Sequence, residues 1–268
     1  MPFATIKGEK IFYELHHAHQ SQTIVLVHGH PFDCTQWKYQ IKALQKFKLV
    51  IPNLKGYGKT IDFTCDKIFI EDHAQELNLL LDELNIETAH FVGLSMGGQV
   101  IAEFARQYPH RTKSLMLCNT LPFAETELSK ATRIEAGNKL LQFGMEYHVN
   151  NDIEKYIHPN KFKENGIAFL HLKEMMLGTN SKNAAANHFG RAERRDNAVF
   201  IQQFKKPIHF ICGEADNFTP SNTMIAFANT IAPNLYTIIP NTGHLTNMEN
   251  PILFNEVLIQ FYNTYFKA

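Results

Sequence analysis

Short, uninterrupted apolar runs alternate along this chain with stretches in which apolar residues recur every three or four positions. The runs predict strands that are buried on both faces, and the periodic stretches predict amphipathic helices. The predicted strands are residues 24–27, 49–51, 89–92, 114–118, 208–212 and 235–239. The predicted helices are residues 37–47, 68–84, 99–108 and 252–266. This alternation indicates an α/β fold with a mostly parallel sheet and helices on both faces.

Two segments depart from this pattern. Residues 3–15 alternate between apolar and polar positions and predict an antiparallel hairpin that turns near Gly8, which brings the expected sheet to eight strands. Residues 121–190 contain no convincing buried strand, and an insertion of this length predicts a helical cap over the carboxyl ends of the strands. We therefore expect an α/β core in two parts, residues 1–120 and 191–268, with a cap of residues 121–190 between them.

The charge balance and the cysteines indicate which binding partners and which cellular compartment to expect. The 268 residues include 26 basic and 26 acidic side chains, which argues against a nucleic-acid or membrane partner. No apolar run is long enough to span a bilayer, and residues 1–7 do not have the pattern of a secretory signal. Cys118 and Cys212 lie in apolar runs as expected of buried free thiols, so a cytoplasmic location is expected. The histidines show no metal-ligand spacing, and we expect neither a metal nor a cofactor.

A glycine-rich turn follows the predicted strand at 89–92. Its sequence is Gly93-Leu-Ser-Met-Gly97, and the amphipathic stretch begins directly after it. A strand, a sharp turn and a helix in this order would lift the Ser95 hydroxyl out of the sheet edge and direct backbone N–H groups toward it. The alternative interpretation is an ordinary turn made of common turn residues.

Two further residues in loops that follow predicted strands can activate a serine. A serine hydroxyl is a weak nucleophile unless a base removes its proton and a third group orients that base. Asp216 follows the strand at 208–212, and His244 follows the strand at 235–239. The chain order Ser95, Asp216, His244 is that of a nucleophile, acid and base on a parallel sheet. Glu214 is the rival acid, and we interpret it as a loop anchor.

The negative charge that develops on an attacked carbonyl oxygen requires backbone donors. Met96, at the predicted helix start, supplies one N–H group. The loop after residues 24–27 supplies the second, and we assign it to His30. We interpret the His28 side chain as a structural residue behind the turn, whereas the His30 ring is equally consistent with a place in the cavity.

These residues resemble the α/β-hydrolase superfamily, and within it the cofactor-free serine esterases and lactonases, including the 3-oxoadipate enol-lactonases. The resemblance covers nearly the whole chain outside the predicted cap. The motifs that carry it are Val-His-Gly-His-Pro-Phe-Asp at 27–33, Gly-Tyr-Gly at 56–58, Gly-Leu-Ser-Met-Gly-Gly at 93–98, Gly-Arg-Ala-Glu-Arg-Arg-Asp at 190–196, Gly-Glu-Ala-Asp at 213–216 and Asn-Thr-Gly-His-Leu at 241–245.

At several positions this chain differs from other families of the superfamily, and these differences argue against membership in those families. Haloalkane dehalogenases and epoxide hydrolases have an aspartate where this chain has Ser95. The menaquinone-pathway synthase has an arginine where this chain has Gln99, and most relatives have an aspartate at the position of Asn53. The resemblance therefore implies a hydrolase that cleaves a small-molecule carboxylic ester or lactone through an acyl-enzyme. The alternatives are a cofactor-free perhydrolase or haloperoxidase that uses the same triad, and a non-enzymatic small-molecule receptor. The sequence carries no signal for oligomeric state.

The cap is expected to set the choice of substrate. Arg191, Arg194 and Arg195 would suit a substrate carboxylate of the enol-lactonase kind, but arginines at such a boundary more often pair with acids such as Glu193 or Asp196. Eight apolar residues could line an acyl-binding pocket, although most of them are expected in the core of the cap. These residues are Phe123, Phe143, Met145, Tyr147, Phe162, Phe169, Met175 and Met176.

Overall fold

The computed structural model describes residues 3–60, 65–164 and 166–266. Its strands form a single eight-stranded sheet in the order β1-β2-β4-β3-β5-β6-β7-β8. The strands are β1 (Phe3–Ile6), β2 (Glu9–His16), β3 (Thr23–Val27), β4 (Lys48–Pro52), β5 (Ala89–Leu94), β6 (Thr112–Cys118), β7 (Ile208–Gly213) and β8 (Tyr236–Ile239). β1 and β2 form the expected antiparallel hairpin, β2 is also antiparallel to β4, and all other pairs are parallel. The predicted mostly parallel, eight-stranded sheet is confirmed.

Helices connect these strands and cover the sheet. They are α1 (Ile70–Glu83), α2 (Met96–Gln107), α3 (Glu127–Asp152), α4 (Pro159–Glu164), α5 (Ile167–Leu177), α6 (Ser181–Ala192), α7 (Ala198–Gln202), α8 (Ser221–Asn229), α9 (Thr246–Glu249) and α10 (Pro251–Phe266). Two 3₁₀ helices, Cys34–Trp37 and Ile153–Tyr156, complete the regular structure. The predicted helices at 68–84, 99–108 and 252–266 are confirmed as α1, α2 and α10. None of these helices, over the residues described, has the length and apolar character that crossing a bilayer would require.

The predicted helix at 37–47 is wrong. The structure has no α-helix at 37–47. The 3₁₀ helix Cys34–Trp37 ends at the first of these residues, and the residues after it form successive turns. Their backbone bonds alternate between three- and four-residue spacing, as in Gln40 N to Trp37 O and Leu44 N to Gln40 O. The Gln40 side chain donates to the Asn247 carbonyl oxygen at 3.0 Å, so contacts with the distant α9 region hold this segment. Tertiary contacts override the helical periodicity here.

The central strands are buried on both faces, as their apolar runs predicted. Successive side chains of a strand point to opposite faces of the sheet. In β3, Ile24 and Leu26 belong to one buried apolar cluster, and Val25 and Val27 belong to the other. The sheet therefore separates two cores, and polar residues at the carboxyl ends of its strands emerge at one common edge.

Between β6 and β7 the described chain consists of helices and irregular segments, with α3 packed against α6. This contact is close at Gly137, where a Cβ atom would lie 2.5 Å from the Phe189 ring. α6 continues to Ala192, two residues beyond the predicted cap boundary at 190. The three-part division of the chain remains a prediction. Cys118 and Cys212 are buried free thiols, as expected.

Candidate active site

Ser95 lies in a sharp turn between β5 and α2. Its backbone has φ 55° and ψ −117°, a conformation that residues other than glycine rarely adopt. Glycines on both sides make the turn possible. A Cβ atom at Gly97 would lie 2.1 Å from the Val27 carbonyl oxygen, and one at Gly93 would lie 2.4 Å from the Gly97 carbonyl oxygen. The start of α2 therefore packs directly against the ends of two strands, and Ser95 projects beyond them.

His244 and Asp216 form a buried hydrogen-bonded pair. The His244 Nδ1 atom lies 2.8 Å from Oδ1 and 2.9 Å from Oδ2 of Asp216. Both residues are almost fully buried, with 2% and 6% of their surfaces exposed. Because a carboxylate only accepts hydrogen bonds, this contact places the proton of a neutral imidazole on Nδ1 and leaves Nε2 as an acceptor.

A set of donors holds the Asp216 carboxylate in its ionised form. The backbone N–H groups of Phe218 and Thr219 donate to Oδ1 at 2.8 and 3.0 Å, and the Asn119 amide donates to Oδ2 at 2.9 Å. Burial raises the pKa of this carboxyl group, but His244 and these donors outweigh it, so the net pKa is lowered. Asn119 directly follows β6 and was missed by the sequence analysis.

Glu249 shapes the loop that carries His244. Its carboxylate accepts from the backbone N–H groups of Gly243 and Leu245 at 3.0 Å and from that of His158 at 2.7 Å. The rival acid Glu214 accepts instead from the Asn241 backbone N–H at 3.0 Å. This contact is consistent with the expected role of Glu214 as a loop anchor, and the structure pairs His244 with Asp216.

Ser95 and His244 line the same cavity of about 260 Å³. Within the described residues, the Ser95 hydroxyl makes no hydrogen bond to His244, so the structure joins His244 to Asp216 but shows no bond between His244 and Ser95. Hydrogen bonds of this kind are often long without substrate and shorten when it binds. The lining residues are His30, Ser95, Gln99, Asn119, Thr120, Leu121, Glu125, Ser129, Arg133, Tyr156, His188, Arg191, Arg194, Phe218, Thr219 and His244.

Two backbone N–H groups near Ser95 have no acceptor in the part of the chain that the structure describes. Neither Met96 nor His30 donates a backbone hydrogen bond to any of the residues described. The His30 ring lines the cavity, where its Nδ1 atom lies 2.6 Å from the Tyr57 hydroxyl oxygen and its Nε2 atom is buried without a partner. His28 accepts at Nε2 from the Leu54 N–H at 3.0 Å, which matches its expected structural role.

The cavity wall on the cap side is charged and does not contain the acyl-binding pocket that the sequence left open as an alternative. None of the eight apolar residues proposed for that pocket lines this cavity, and Met145, Met175 and Met176 lie instead in a buried core cluster. Arg133, Arg191 and Arg194 line it together with Glu125. Arg133 carried no functional signal in the sequence, because nothing local distinguishes it from a surface arginine of a helix.

Within the described residues, two of the three arginines pair with acids, as expected, but not with Glu193 or Asp196, the partners that the sequence suggested. Glu193 pairs with Lys67, and Arg194 pairs with Glu125. Arg195 is exposed and lies 3.8 Å from Glu71. Arg191 donates from Nε to the Gln99 side chain at 3.2 Å. No group of three metal-binding side chains occurs within residues 3–60, 65–164 and 166–266.

Comparisons with known proteins agree with this fold. A family model described as the alpha/beta hydrolase fold matches residues 22–143. A Bacillus subtilis protein named "Putative 2-succinyl-6-hydroxy-2,4-cyclohexadiene-1-carboxylate synthase" is 24% identical over 90% of each chain. The 3-oxoadipate enol-lactonase 1 of Acinetobacter baylyi is 23% identical over 98% of this chain and 95% of its own. A thermophilic esterase from Thermogutta terrifontis, solved with malate bound, has a TM-score of 0.92 and 26% identity, with 98% of each chain covered. The fold expected from the sequence is confirmed.

Proposed function

We propose that this chain, which has the α/β-hydrolase fold and esterase and lactonase relatives, hydrolyses a carboxylic ester or lactone through an acyl-enzyme on Ser95. The observation that carries the proposal is the buried Asp216–His244 pair, whose geometry leaves His244 Nε2 available toward the cavity that Ser95 lines. The esterase and lactonase relatives and the cavity of about 260 Å³ that Ser95 lines support a small-molecule substrate. The buried free thiols Cys118 and Cys212 support a reducing compartment such as the cytoplasm.

Acylation begins when Ser95 Oγ attacks the substrate carbonyl carbon and His244 Nε2 takes the hydroxyl proton. The imidazolium that forms is stabilised by the Asp216 carboxylate at 2.8 Å. Collapse of the tetrahedral intermediate breaks the bond to the alcohol oxygen, which receives the proton from His244. Water activated by the same imidazole then attacks the acyl-enzyme and releases the acid.

The unpaired backbone N–H groups of Met96 and His30 are the proposed donors to the oxyanion. Preorganised donors of this kind stabilise charge only as it develops, and the loss of one commonly costs about 10²- to 10³-fold in kcat. The strained Ser95 backbone and the close packing at Gly97 support this assignment, because they hold the Met96 N–H at the first turn of α2.

The test is turnover of 4-nitrophenyl acetate and butyrate by the wild type and by Ser95→Ala. We expect the variant to lose about 10⁴-fold or more in kcat, because the nucleophile is removed. Ser221→Ala, at the start of α8 and outside the cavity lining, makes the same chemical change as a control and should retain full activity. Mass spectrometry after treatment with a fluorophosphonate should locate the adduct on the Ser95 peptide. Equal turnover by the wild type and Ser95→Ala would refute the proposal.

A further inference from the structure

A second cavity adjoins the one that Ser95 lines. Its volume is about 440 Å³, compared with about 260 Å³ for the Ser95 cavity. The side chains that line both cavities are Ser129, Arg133, Tyr156, His188 and Phe218. Because the two cavities share these walls, a ligand whose reacting group reaches Ser95 can extend into the second cavity. The acyl-enzyme mechanism itself requires only the first.

A bend in α3 forms the second cavity. Gly144 has φ 77° and ψ 179°, a conformation outside the helical region that is nearly restricted to glycine. The α3 residues that line the cavity come from both sides of this bend. They are Leu128, Ser129, Thr132, Arg133 and Ala136 before it, and His148 and Asp152 after it. The second cavity therefore lies between the two parts of α3, and the backbone of Gly144 sets the angle between them.

The charged side chains of the second cavity already have partners. Arg133 lies 2.6 Å from Glu125. Asp152 pairs with Lys155 and lies 2.9 Å from the Nδ1 atom of His148. Since these groups neutralise one another, the second cavity presents no unpaired charge that a charged ligand would be needed to balance. It is suited to an uncharged ligand.

Apolar side chains at the second cavity are open to solvent. Leu128 is 79% exposed and Phe218 is 46% exposed, and the half-buried methyl group of Ala136 lies on the same lining. Removing such apolar surface from water is favourable. A ligand with an apolar chain or ring would therefore gain binding energy here.

Two aromatic side chains shared by the cavities also contact the proposed base. The ring of Phe218 lies 4.8 Å from the His244 imidazole between centroids, and that of Tyr156 lies 6.1 Å from it. In the proposed mechanism, His244 passes its proton to the oxygen of the leaving alcohol, so the alcohol part of the substrate lies beside this imidazole. The alcohol side of the ester, rather than the acyl side, therefore points along Phe218 and Tyr156 toward the second cavity.

His188 lies where the two cavities meet and has unused hydrogen-bonding capacity. Both of its ring nitrogens are buried and have no partner among the residues described. Buried polar groups without a partner are rare in folded proteins. A ligand that spans the two cavities can supply the missing partner at this point.

We propose that the second cavity binds the alcohol part of the ester that Ser95 attacks, so that the substrate is an ester of an uncharged alcohol with an apolar chain or ring. This inference rests on the proposed function, because it assigns a place to the leaving group of that reaction. The acyl part stays in the smaller Ser95 cavity and is correspondingly short.

The experiment compares two isomeric esters, butyl acetate and methyl pentanoate, which carry the same butyl group on opposite sides of the ester bond. Hydrolysis is followed by titration of the acid released. The wild type should prefer butyl acetate by about tenfold or more in kcat/KM, because each buried methylene is worth about fourfold and part of the chain suffices.

Substitutions in the second cavity should change this preference. Ala136→Phe places a ring in the cavity and should lose most of the preference for butyl acetate. Ala131→Phe makes the same change at an exposed position of α3 outside both linings, and it should keep the wild-type preference. Leu128→Asp is a second variant that removes no core contact, because Leu128 is mostly exposed, and it should also lower the preference.

The outcomes separate this inference from the proposed function. If the wild type cleaves methyl pentanoate as well as butyl acetate, or if both cavity variants keep the wild-type preference, the alcohol site is refuted while the serine hydrolase remains. Binding of 2-phenylethanol, followed by saturation-transfer NMR, gives a readout without turnover. Transfer should occur with the wild type and with Ser95→Ala and should be strongly reduced with Ala136→Phe.

The absence of transfer with the wild type would also overturn the inference. Hydrolysis of neither ester, together with binding of 2-phenylethanol that Ala136→Phe abolishes, would refute the proposed function and keep the second cavity as a site for an apolar alcohol.

Discussion

The change of Asp216 to asparagine isolates the role of one charge, because the two side chains have nearly the same shape. Both oxygens of Asp216 accept hydrogen bonds from groups other than His244. The backbone N–H groups of Phe218 and Thr219 cannot turn away, so the new amide must keep its oxygen at the Oδ1 position. Its NH₂ group then faces the NH₂ group of Asn119, which now lies 2.9 Å from Oδ2.

Rotation of the Asn119 amide does not remove this conflict. The rotated oxygen would face the Gly243 carbonyl oxygen, to which the NH₂ group now donates at 3.3 Å. It would also withdraw the acceptor that the Thr246 hydroxyl uses at 2.7 Å. At least one buried polar group remains unsatisfied in either orientation, at a cost of about 1–3 kcal/mol in the free energy of unfolding.

Catalysis should suffer more than stability in Asp216→Asn. The variant loses the negative charge that stabilises the imidazolium of His244, and we expect kcat for 4-nitrophenyl butyrate to fall by about 10³- to 10⁴-fold. Glu214→Gln is the matched control, because Glu214 is the other acid of this loop and its amide can still accept from Asn241. It should retain kcat within about threefold. The assignment of the acid is wrong if Asp216→Asn keeps more than a tenth of wild-type kcat, or if Glu214→Gln is the variant that fails.

The pH dependence of stability provides an independent check on Asp216. Because the net pKa of Asp216 is lowered in the folded protein, its stabilising contribution is present above its ordinary value of 3.8 and is lost as the pH falls through the folded pKa. The difference in unfolding free energy between wild type and Asp216→Asn should therefore be larger at pH 7 than at pH 3 in urea denaturation. An equal difference at both pH values would indicate that Asp216 is not held as a buried anion.

Two further predictions concern the framework of the site. Burial lowers the pKa of His28 and of His73 from 6.5 to about 4, so the stability that each neutral ring contributes is present above pH 6.5 and is lost as the pH falls toward 4. Urea denaturation should show a loss of up to about 3 kcal/mol for each ring by pH 4, and an unchanged midpoint would contradict this. Gly97→Ala places a Cβ atom against the Val27 carbonyl oxygen and should cost about 3 kcal/mol or more and most of the esterase activity. Gly166→Ala, with no atom within 4 Å of its Cβ position, should cost at most about 1 kcal/mol, as expected for the change of an N-cap residue.

The sequence was sufficient for those features that depend on local patterns. β3 is a continuous apolar run because both of its faces are buried, and this could be inferred without knowing its neighbours. The turn at Ser95 also has a local signature, because Gly93 leaves room for the Gly97 carbonyl oxygen four residues later, although Gly97 itself packs against Val27 of a neighbouring strand. The segment at 37–47 has an equally clear helical period but forms turns, because its Gln40 side chain is held by residues more than two hundred positions away.

The charged wall of the cavity depends on contacts that local patterns do not encode. Arg133 and Arg191 come from separate cap helices, and whether either one has an acidic partner depends on how α3 packs against α6. The adjacent acid Glu193 is a natural partner for Arg191 in the sequence, but in the structure it pairs with Lys67 and leaves Arg191 facing the cavity. The proposed nucleophile could therefore be located from a motif, whereas the position of Arg191 in the cavity wall without an acidic partner could be recognised only in the structure. This difference is consistent with one fold supporting many substrates. The geometry of the turn at Ser95 permits few residue types, whereas charged residues of the cap can be replaced without altering that turn.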